Sequence, residues 1–243
     1  MVTPLTERIA SVQAGIGRAC SQVGRKAEDV TLVAVSKTHP ASAVLEGVEA
    51  GLRHFGENRI EEAGGKIAQV SAQSAEPLTW HMIGHLQSRK ARDAASLFDV
   101  VQSVDSVRLA SKLAQALPDG RKLTVLLECN VSGEASKGGF AVNNWEHDVA
   151  VLAEITRSLG EIAALPGLSV RGLMTMAPIA VDMEQVRPVF RSLRLLRDVL
   201  EQKCAMALPV LSMGMTDDFP VAIEEGATMI RVGRALFGER AAP

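Results

Sequence analysis

The stretch Val30-Thr-Leu-Val-Ala-Val-Ser36 runs directly into Lys37, and a helical pattern opens soon afterwards, past Pro40. An unbroken β-branched and aliphatic run of this length predicts a strand buried on both faces, as in a parallel sheet. In α/β proteins the carboxyl ends of such strands carry the functional groups. Lys37 is therefore a candidate site residue, whose amine, once desolvated and deprotonated, can attack a carbonyl. Taken alone, a lysine that reaches solvent or pairs with a carboxylate is the simpler interpretation.

Similar short β-rich runs alternate with amphipathic helical patterns along the whole chain. With 30–36, the predicted strands are 54–57, 79–84, 100–104, 124–130, 169–174, 209–212 and 229–232. The predicted helices are 4–23, 41–50, 59–72, 88–97, 106–116, 143–160, 183–205 and 219–226. Eight strands that alternate with helices predict an α/β fold, a closed (β/α)8 TIM barrel with an extra N-terminal helix; an open doubly wound sheet is the alternative. No linker divides the chain, so we expect one domain over 1–243.

Composition argues against several classes of function. The 243 residues carry a formal net charge of −2, which gives no electrostatic signature for nucleic acid or an anionic membrane. No apolar run approaches the roughly 18 residues that a membrane-spanning helix needs, and the N-terminus lacks the pattern of a signal peptide. Cys20, Cys129 and Cys204 are odd in number and far apart, which predicts reduced thiols and a cytoplasmic location.

Glycine-rich turns follow the last two predicted strands. Gly214 and Gly233 would let the backbone approach an anion, the N–H groups of the 234–237 turn would point at it, and Arg231 could add charge. Barrels often bind phosphate with the loops after strands seven and eight, although either glycine could simply close a tight turn. A lysine nucleophile opposite a phosphate site suits pyridoxal phosphate (PLP). The two turns lie within Leu211-Ser-Met-Gly-Met-Thr216 and Ile230-Arg-Val-Gly-Arg-Ala-Leu-Phe-Gly238.

Nine short blocks, spread over nearly the whole chain, resemble those of the YggS/PROSC family of PLP homeostasis proteins. The resemblance implies a barrel like the N-terminal domain of alanine racemase. The blocks are Leu32-Val-Ala-Val-Ser-Lys-Thr38, Phe55-Gly-Glu-Asn58, Trp80-His-Met-Ile-Gly-His-Leu-Gln-Ser88, Val104-Asp105, Asn130-Val-Ser-Gly-Glu134, Ser136-Lys137, Gly172-Leu-Met-Thr-Met176, Leu211-Ser-Met-Gly-Met-Thr-Asp-Asp-Phe219 and the segment from Arg231-Val-Gly233 to Phe237-Gly-Glu-Arg240. Arg59 and Arg89 depart from the family pattern, where tyrosine and asparagine are usual.

The resemblance also assigns roles to individual residues. It implies that Lys37 holds PLP covalently as a Schiff base and that Asn58 lies beside the cofactor. It further implies that PLP-dependent apoenzymes are possible recipients of the cofactor. The residues that it places around the ring and phosphate are Ser212, Met213, Thr216, Arg231, Gly233 and the amide of Arg234.

The sequence favours a carrier of PLP over an enzyme. By resemblance, racemases with this barrel use a tyrosine from a second domain as one of two opposed bases, and this chain contains no tyrosine. One lysine serves only one face of a substrate carbanion; His85 is the best substitute for the second base, although a rim position is the simpler expectation. Asp105 is expected to cap the helix that starts at Ser106.

Several alternatives stay open. They are a small PLP-dependent racemase or lyase, and a barrel that binds another phosphorylated carbonyl. Lys137, in the long loop 131–142, could supply a second amine or lie at the surface. Because the β-rich domain through which racemases dimerise is not seen, we expect a monomer.

Overall fold

The computed structural model describes residues 3–239, so Arg240 of the last family block lies outside the described residues. Eight parallel strands form a closed ring, in which each strand pairs with the next along the chain and the eighth pairs with the first. The predicted (β/α)8 barrel is confirmed, and the open sheet is wrong. The strands are β1 (Thr31–Val35), β2 (His54–Glu57), β3 (Thr79–Met82), β4 (Val100–Val104), β5 (Leu123–Asn130), β6 (Leu168–Met174), β7 (Val210–Ser212) and β8 (Met229–Val232).

Helices surround the barrel, and the first of them is the predicted extra N-terminal helix. The α-helices are α1 (Leu5–Gln22), α2 (Ala41–Glu49), α3 (Ile60–Gln73), α4 (Ala91–Leu97), α5 (Val107–Ala116), α6 (Val149–Ala163), α7 (Arg187–Cys204), α8 (Phe219–Glu224) and α9 (Arg234–Phe237). Short 3-10 helices cover Ala27–Asp29, Ser88–Lys90 and Met183–Val186, and a two-residue strand, Phe140–Ala141, adjoins β5. Among residues 3–239, no helix combines the length and apolar content that crossing a bilayer requires.

The start of α6 differs from the prediction of a helix from 143. Asn144 has a φ of 67°, in the left-handed region, which a continuous right-handed helix does not allow. The helix begins only after Asp148, whose carboxylate accepts hydrogen bonds from the N–H groups of Ala150 and Val151. The first six residues of the predicted helix therefore form a turn, because a side-chain cap further along satisfies the first N–H groups.

The cap of α5 is also a correction. The expectation that Asp105 caps this helix is wrong, because Ser106 does so and its hydroxyl oxygen accepts from the N–H of Leu109. Asp105 instead accepts a hydrogen bond from the Ser106 hydroxyl. Its carboxylate is thus turned towards the rim of the barrel, where it lies 3.5 Å from the imidazole of His85.

The hydrophobic core leaves one end of the barrel available for a site. Buried aliphatic residues of the strands meet the apolar faces of the helices, and Phe55 and Trp80 of neighbouring strands pack together with ring centroids 5.5 Å apart. The three cysteines are free thiols, in agreement with the prediction. The interior also holds several buried polar side chains, among them His81, Gln102 and Arg231.

We expect Gly172→Ala to lower the free energy of unfolding by at least about 2 kcal/mol. Gly172 has a φ of 159°, and a Cβ there would lie 1.8 Å from the carbonyl oxygen of Val210 on the paired strand. Urea unfolding measures the change. Gly160→Ala is the matched control: nothing lies within 4 Å of its added Cβ, so it should stabilise helix α6 by about 0.5–1 kcal/mol. Equal effects of the two substitutions would contradict the steric argument.

Candidate functional site

The carboxyl ends of the strands surround a cavity of about 500 Å³. This is within the range of small-molecule sites, roughly 300–1,000 Å³. Six of the residues expected in the site contribute to its wall: Lys37, Asn58, Thr216, Arg231, Gly233 and Arg234. The wall is completed by Val35, Ile83, Gly84, His85, Glu128, Ser136, Gly138, Met176, Met215 and Asp217.

Two of the residues expected in the site, Ser212 and Met213, are not among those that line the cavity. Met213 is fully buried in the hydrophobic core, and its N–H donates to the carbonyl oxygen of Met229. Ser212 is also fully buried, and its hydroxyl oxygen accepts a hydrogen bond of 2.6 Å from the guanidinium of Arg231. Ser212 is therefore connected to the cavity through Arg231.

Lys37 is half-buried and lies two residues beyond the end of β1. Its neighbours are held by Glu57, Glu62 and Lys66, of which the sequence analysis did not single out Glu62 and Lys66. The hydroxyl of Ser36 donates to the carboxylate of Glu57 at 2.7 Å, and the ammonium of Lys66 donates to the carbonyl oxygen of Ser36, also at 2.7 Å. On the other side, the N–H of Thr38 donates to the carboxylate of Glu62. The turn that carries Lys37 is thus fixed on both sides.

Arg231 provides a buried positive charge in the wall of the cavity. Its guanidinium donates to the Ser212 hydroxyl at 2.6 Å and to the carbonyl oxygen of Thr175 at 2.8 Å, both of which are neutral groups. Within residues 3–239, no carboxylate lies within ion-pair distance of it. Burial lowers the pKa of Arg231 to about 10, against the opposing effect of the nearby Asp218 and Glu128 charges. A cation in this state favours an anionic ligand.

A chain of hydrogen bonds leads from Arg231 through the barrel interior. Arg231 can only donate, so the Ser212 hydroxyl oxygen accepts from it. The hydroxyl in turn donates its proton to the amide oxygen of Gln102, 2.6 Å away. The amide NH2 group of Gln102 then faces Nδ1 of His81 at 3.0 Å, and Nε2 of His81 faces Nδ1 of His54 at 3.1 Å. Donors and acceptors therefore assign a neutral His81 protonated at Nε2. Burial agrees with this, because it lowers the pKa of His81 to about 3.

Glu128 of β5 forms part of the opposite wall. Burial raises the pKa of its carboxyl, and the Asp105 charge adds to this, while Arg231 and His85 act in the opposite direction. The loop after β5 folds back over Glu128 at Gly139, which has a φ of 102°. The lack of a side chain allows this close approach, because a Cβ there would lie 2.5 Å from the Glu128 carbonyl oxygen. An acidic residue inside an otherwise apolar strand was the available sequence signal for Glu128.

The same loop places Lys137 close to the cavity without putting it in the wall. Asn130 anchors the loop by donating to the carbonyl oxygens of Glu134 and Lys137 at 3.0 and 3.3 Å. Ser136 and Gly138 line the cavity, whereas Lys137 between them does not. His85 lines the rim, where its side chain is 68% exposed, as the simpler expectation had it.

The turns after β7 and β8 lie side by side at the other end of the cavity. The N–H of Arg231, in β8, donates to the carbonyl oxygen of Gly214, so that the turn after β7 is bound to β8 close to where the next turn begins. Gly214 has a φ of 95°, and an added Cβ would lie 2.7 Å from the Ala222 side chain. Helix α9 starts directly after Gly233, whose carbonyl oxygen accepts from the N–H groups of Leu236 and Phe237, so the N–H groups of Arg234 and Ala235 are left without an acceptor within the helix.

Arg234 lines this end of the cavity. Its side chain forms an ion pair with Asp217 and is half-exposed, while its backbone N–H lies at the start of α9. Gly233 is close-packed as well, since a Cβ there would lie 3.2 Å from the carbonyl oxygen of Val35. Backbone amides of this kind, together with the Arg231 charge, fit a phosphate group. Within residues 3–239, no cluster of three or more histidine, cysteine or acidic residues could hold a metal ion.

The comparison with known proteins gives consistent results along nearly the full length. Residues 16–241 match the family described as alanine racemase, N-terminal domain. A pyridoxal phosphate homeostasis protein of Pseudomonas aeruginosa is 44% identical over 98% of this chain and 97% of its own length. Proteins of the same name from Aquifex aeolicus and Escherichia coli K12 are 40% and 38% identical, over 96% and 97% of this chain and 97% of each relative.

Solved structures agree with this assignment. PipY of Synechococcus elongatus, 36% identical in its PLP-free structure, superposes with a TM-score of 0.82 over 96% of this chain and 100% of PipY. Its structure with PLP bound gives 37% identity and a TM-score of 0.80 over the same shares of the two chains. An alanine racemase of Clostridium difficile, 15% identical, shares the fold with a TM-score of 0.68 over 98% of this chain and 57% of the racemase. The chain therefore belongs to the family of the pyridoxal phosphate homeostasis proteins, which is built on the alanine racemase N-terminal domain.

Proposed function

We propose that this protein binds pyridoxal 5'-phosphate through a Schiff base with Lys37 and acts in PLP homeostasis in the cytoplasm, without a dedicated catalytic reaction. The observation that carries the proposal is the shared cavity, which brings together the Lys37 turn, the buried Arg231 charge and the Gly233–Arg234 amides. The names of the relatives and the PLP bound to PipY support the choice of ligand. Its recipients would be PLP-dependent apoenzymes, and the protein would act as a monomer.

The residues of this chain divide the binding between covalent and ionic contacts. The bound aldehyde supplies the carbon for a C=N bond with the Lys37 amine; the carbonyl oxygen leaves as water with the two amine protons, so no oxidant is needed. The amides at Gly233 and Arg234 and the hydroxyl of Thr216 would hold the phosphate, with Arg231 adding charge at its side or at the ring. Asn58 also lines the cavity and would lie beside the cofactor.

Two observations support holding the cofactor over transforming a substrate with it. The sequence contains no tyrosine, and His85, the best alternative to a tyrosine as a second base, is 68% exposed at the rim. Water at such a position weakens electrostatic catalysis, which depends on an enclosed site of low dielectric. The second candidate, a small racemase or lyase, has Glu128 in its favour, because burial raises the pKa of this carboxyl in the cavity wall.

The central prediction is that Lys37→Ala abolishes both the visible Schiff-base absorbance with PLP and the covalent label that borohydride reduction leaves. The fold should survive, since Lys37 lies in a turn outside the hydrophobic core. Lys137→Ala, which changes the nearby loop lysine, is the control and should keep both signals. Stoichiometric labelling of the Lys37→Ala variant would refute the proposed attachment site. Testing other phosphorylated aldehydes on the parent protein separates PLP from the broader ligand class.

Arg231→Met should weaken PLP binding by roughly ten- to a hundredfold, which corresponds to a charge-assisted contact of about 1.5–3 kcal/mol. Ser212→Ala is the comparison variant: it removes a hydrogen-bond partner of Arg231 but keeps the charge, so its loss of affinity should be smaller than that of Arg231→Met. Titrations with PLP and with unphosphorylated pyridoxal measure the two affinities. A loss confined to PLP assigns Arg231 to the phosphate, whereas equal losses for both ligands would place it at the ring.

With PLP bound, the parent protein should not exchange the Cα proton of alanine faster than free PLP does. The reason is that one amine serves one face and the rim is open to water. Proton NMR in deuterium oxide follows the exchange. Exchange at enzyme-like rates, above about 1 per second, that disappears in His85→Ala would overturn the carrier proposal and make His85 the second base.

A further inference from the structure

Thr38, the residue after Lys37, has an unusual backbone conformation. Its φ is 68°, in the left-handed region. A β-branched residue rarely adopts this conformation, because its Cβ crowds the following carbonyl group. Strained residues persist only where the surrounding structure holds them, and they are concentrated at functional sites. The strain at Thr38 therefore calls for a group that compensates it.

Glu62 of α3 is that group on the C-terminal side of Lys37. Oε1 of its carboxylate accepts the N–H of Thr38 at 2.5 Å. The same oxygen accepts a hydrogen bond of 2.8 Å from the ammonium of Lys66, one helical turn further along. The carboxylate is therefore itself oriented by a second charged residue, and its position is defined from both directions.

Lys66 extends the contact to the N-terminal side of Lys37. Its ammonium lies 2.7 Å from the carbonyl oxygen of Ser36 and 2.7 Å from Oε1 of Glu57. Glu57, the last residue of β2, also accepts the Ser36 hydroxyl at 2.7 Å. Three side chains of β2 and α3 thus bind the residue before Lys37 and the residue after it, across a distance of more than twenty positions in the sequence.

The burial of this cluster is not explained by stability. The side chains of Lys66 and Glu57 are 5% and 0% exposed, and that of Glu62 is 28% exposed. Desolvation offsets much of the attraction within a buried ion pair, and apolar residues of similar volume often stabilise a fold equally well. In addition, Oε2 of Glu57 is buried without a hydrogen-bond partner in the part of the chain that the structure describes. What the cluster provides is a defined geometry.

We propose that Glu57, Glu62 and Lys66 are positioning residues that fix the backbone on both sides of Lys37 and thereby direct its amine into the cavity. This inference rests on the proposed function of Lys37, and none of the three residues lines the cavity. Their effect on the bound aldehyde is indirect: they hold the attacking amine in one place, which reduces the entropy that the amine loses when the C=N bond forms.

Glu62→Ala tests the proposal, because Glu62 is partly exposed and its removal leaves the buried pair of Lys66 and Glu57 intact. Two measurements are needed: amide hydrogen exchange of Thr38 in the ligand-free protein, and PLP affinity from the visible absorbance. We expect Thr38 exchange to become faster and PLP binding to become about tenfold weaker, with the unfolding midpoint close to that of the parent. Glu62→Gln keeps a carbonyl oxygen for the Thr38 N–H and should recover most of both values.

Glu61→Ala is the control. Glu61 lies one residue away on the same helix and pairs with Lys90, so both readouts should stay at parent values. The proposal is overturned if Glu62→Ala leaves Thr38 exchange unchanged, or if it weakens PLP binding no more than Glu61→Ala does. A parent protein that binds no PLP would instead refute the proposed function, while the exchange data would still report whether Glu62 holds the turn.

Discussion

The parallel pairing of β8 with β1 sets the geometry of the site, because its register decides which residues from the two ends of the chain lie side by side. Val33 lies opposite Arg231, and Ala34 lies opposite Val232. Each strand then ends, and the residues that follow, Lys37 on one side and Gly233 on the other, emerge at the same rim. A slip of one residue would exchange the inward and outward faces of β8 and turn the Arg231 side chain out of the barrel.

Burying the Arg231 guanidinium inside the barrel costs desolvation free energy, which hydrogen bonds to the surrounding polar groups offset. Its partners are neutral, and the chain through Ser212 and Gln102 ends at two histidines. Because the pKa of His81 falls from its ordinary 6.5 to about 3, the unfolded chain binds a proton there that the folded protein does not. This part of the free energy of unfolding is therefore lost as the pH drops from about 6.5 towards 3.

The buried carboxyl groups act with the opposite sign. Burial raises the pKa of Glu57, Glu128 and Asp218, so that the folded protein binds their protons more tightly than the unfolded chain does. Their contribution is present below the ordinary carboxyl pKa and is lost as the pH rises through the raised values. The histidine thus limits stability as the pH falls, and the carboxyl groups limit it as the pH rises. A ligand that binds the Arg231 charge would change this balance.

Much of the fold followed from local patterns, whereas much of the site depends on pairings that local patterns do not contain. The short β-rich runs located β2, β4 and β8 to the residue, since the signal for a buried strand lies in consecutive positions. By contrast, Ser212 and Gln102 meet across 110 positions, and Lys66 meets Ser36 across 30. Nothing in the local pattern distinguishes Lys66 from other helical lysines, because its burial arises only where α3 packs beside the ends of β1 and β2. The partial exposure of Lys37 and the exposure of His85 also depend on the folded structure and could not be predicted from local patterns. A rim open to water would allow the proposed C=N bond to hydrolyse as well as form, and such reversibility agrees with the proposed role of holding PLP and passing it on.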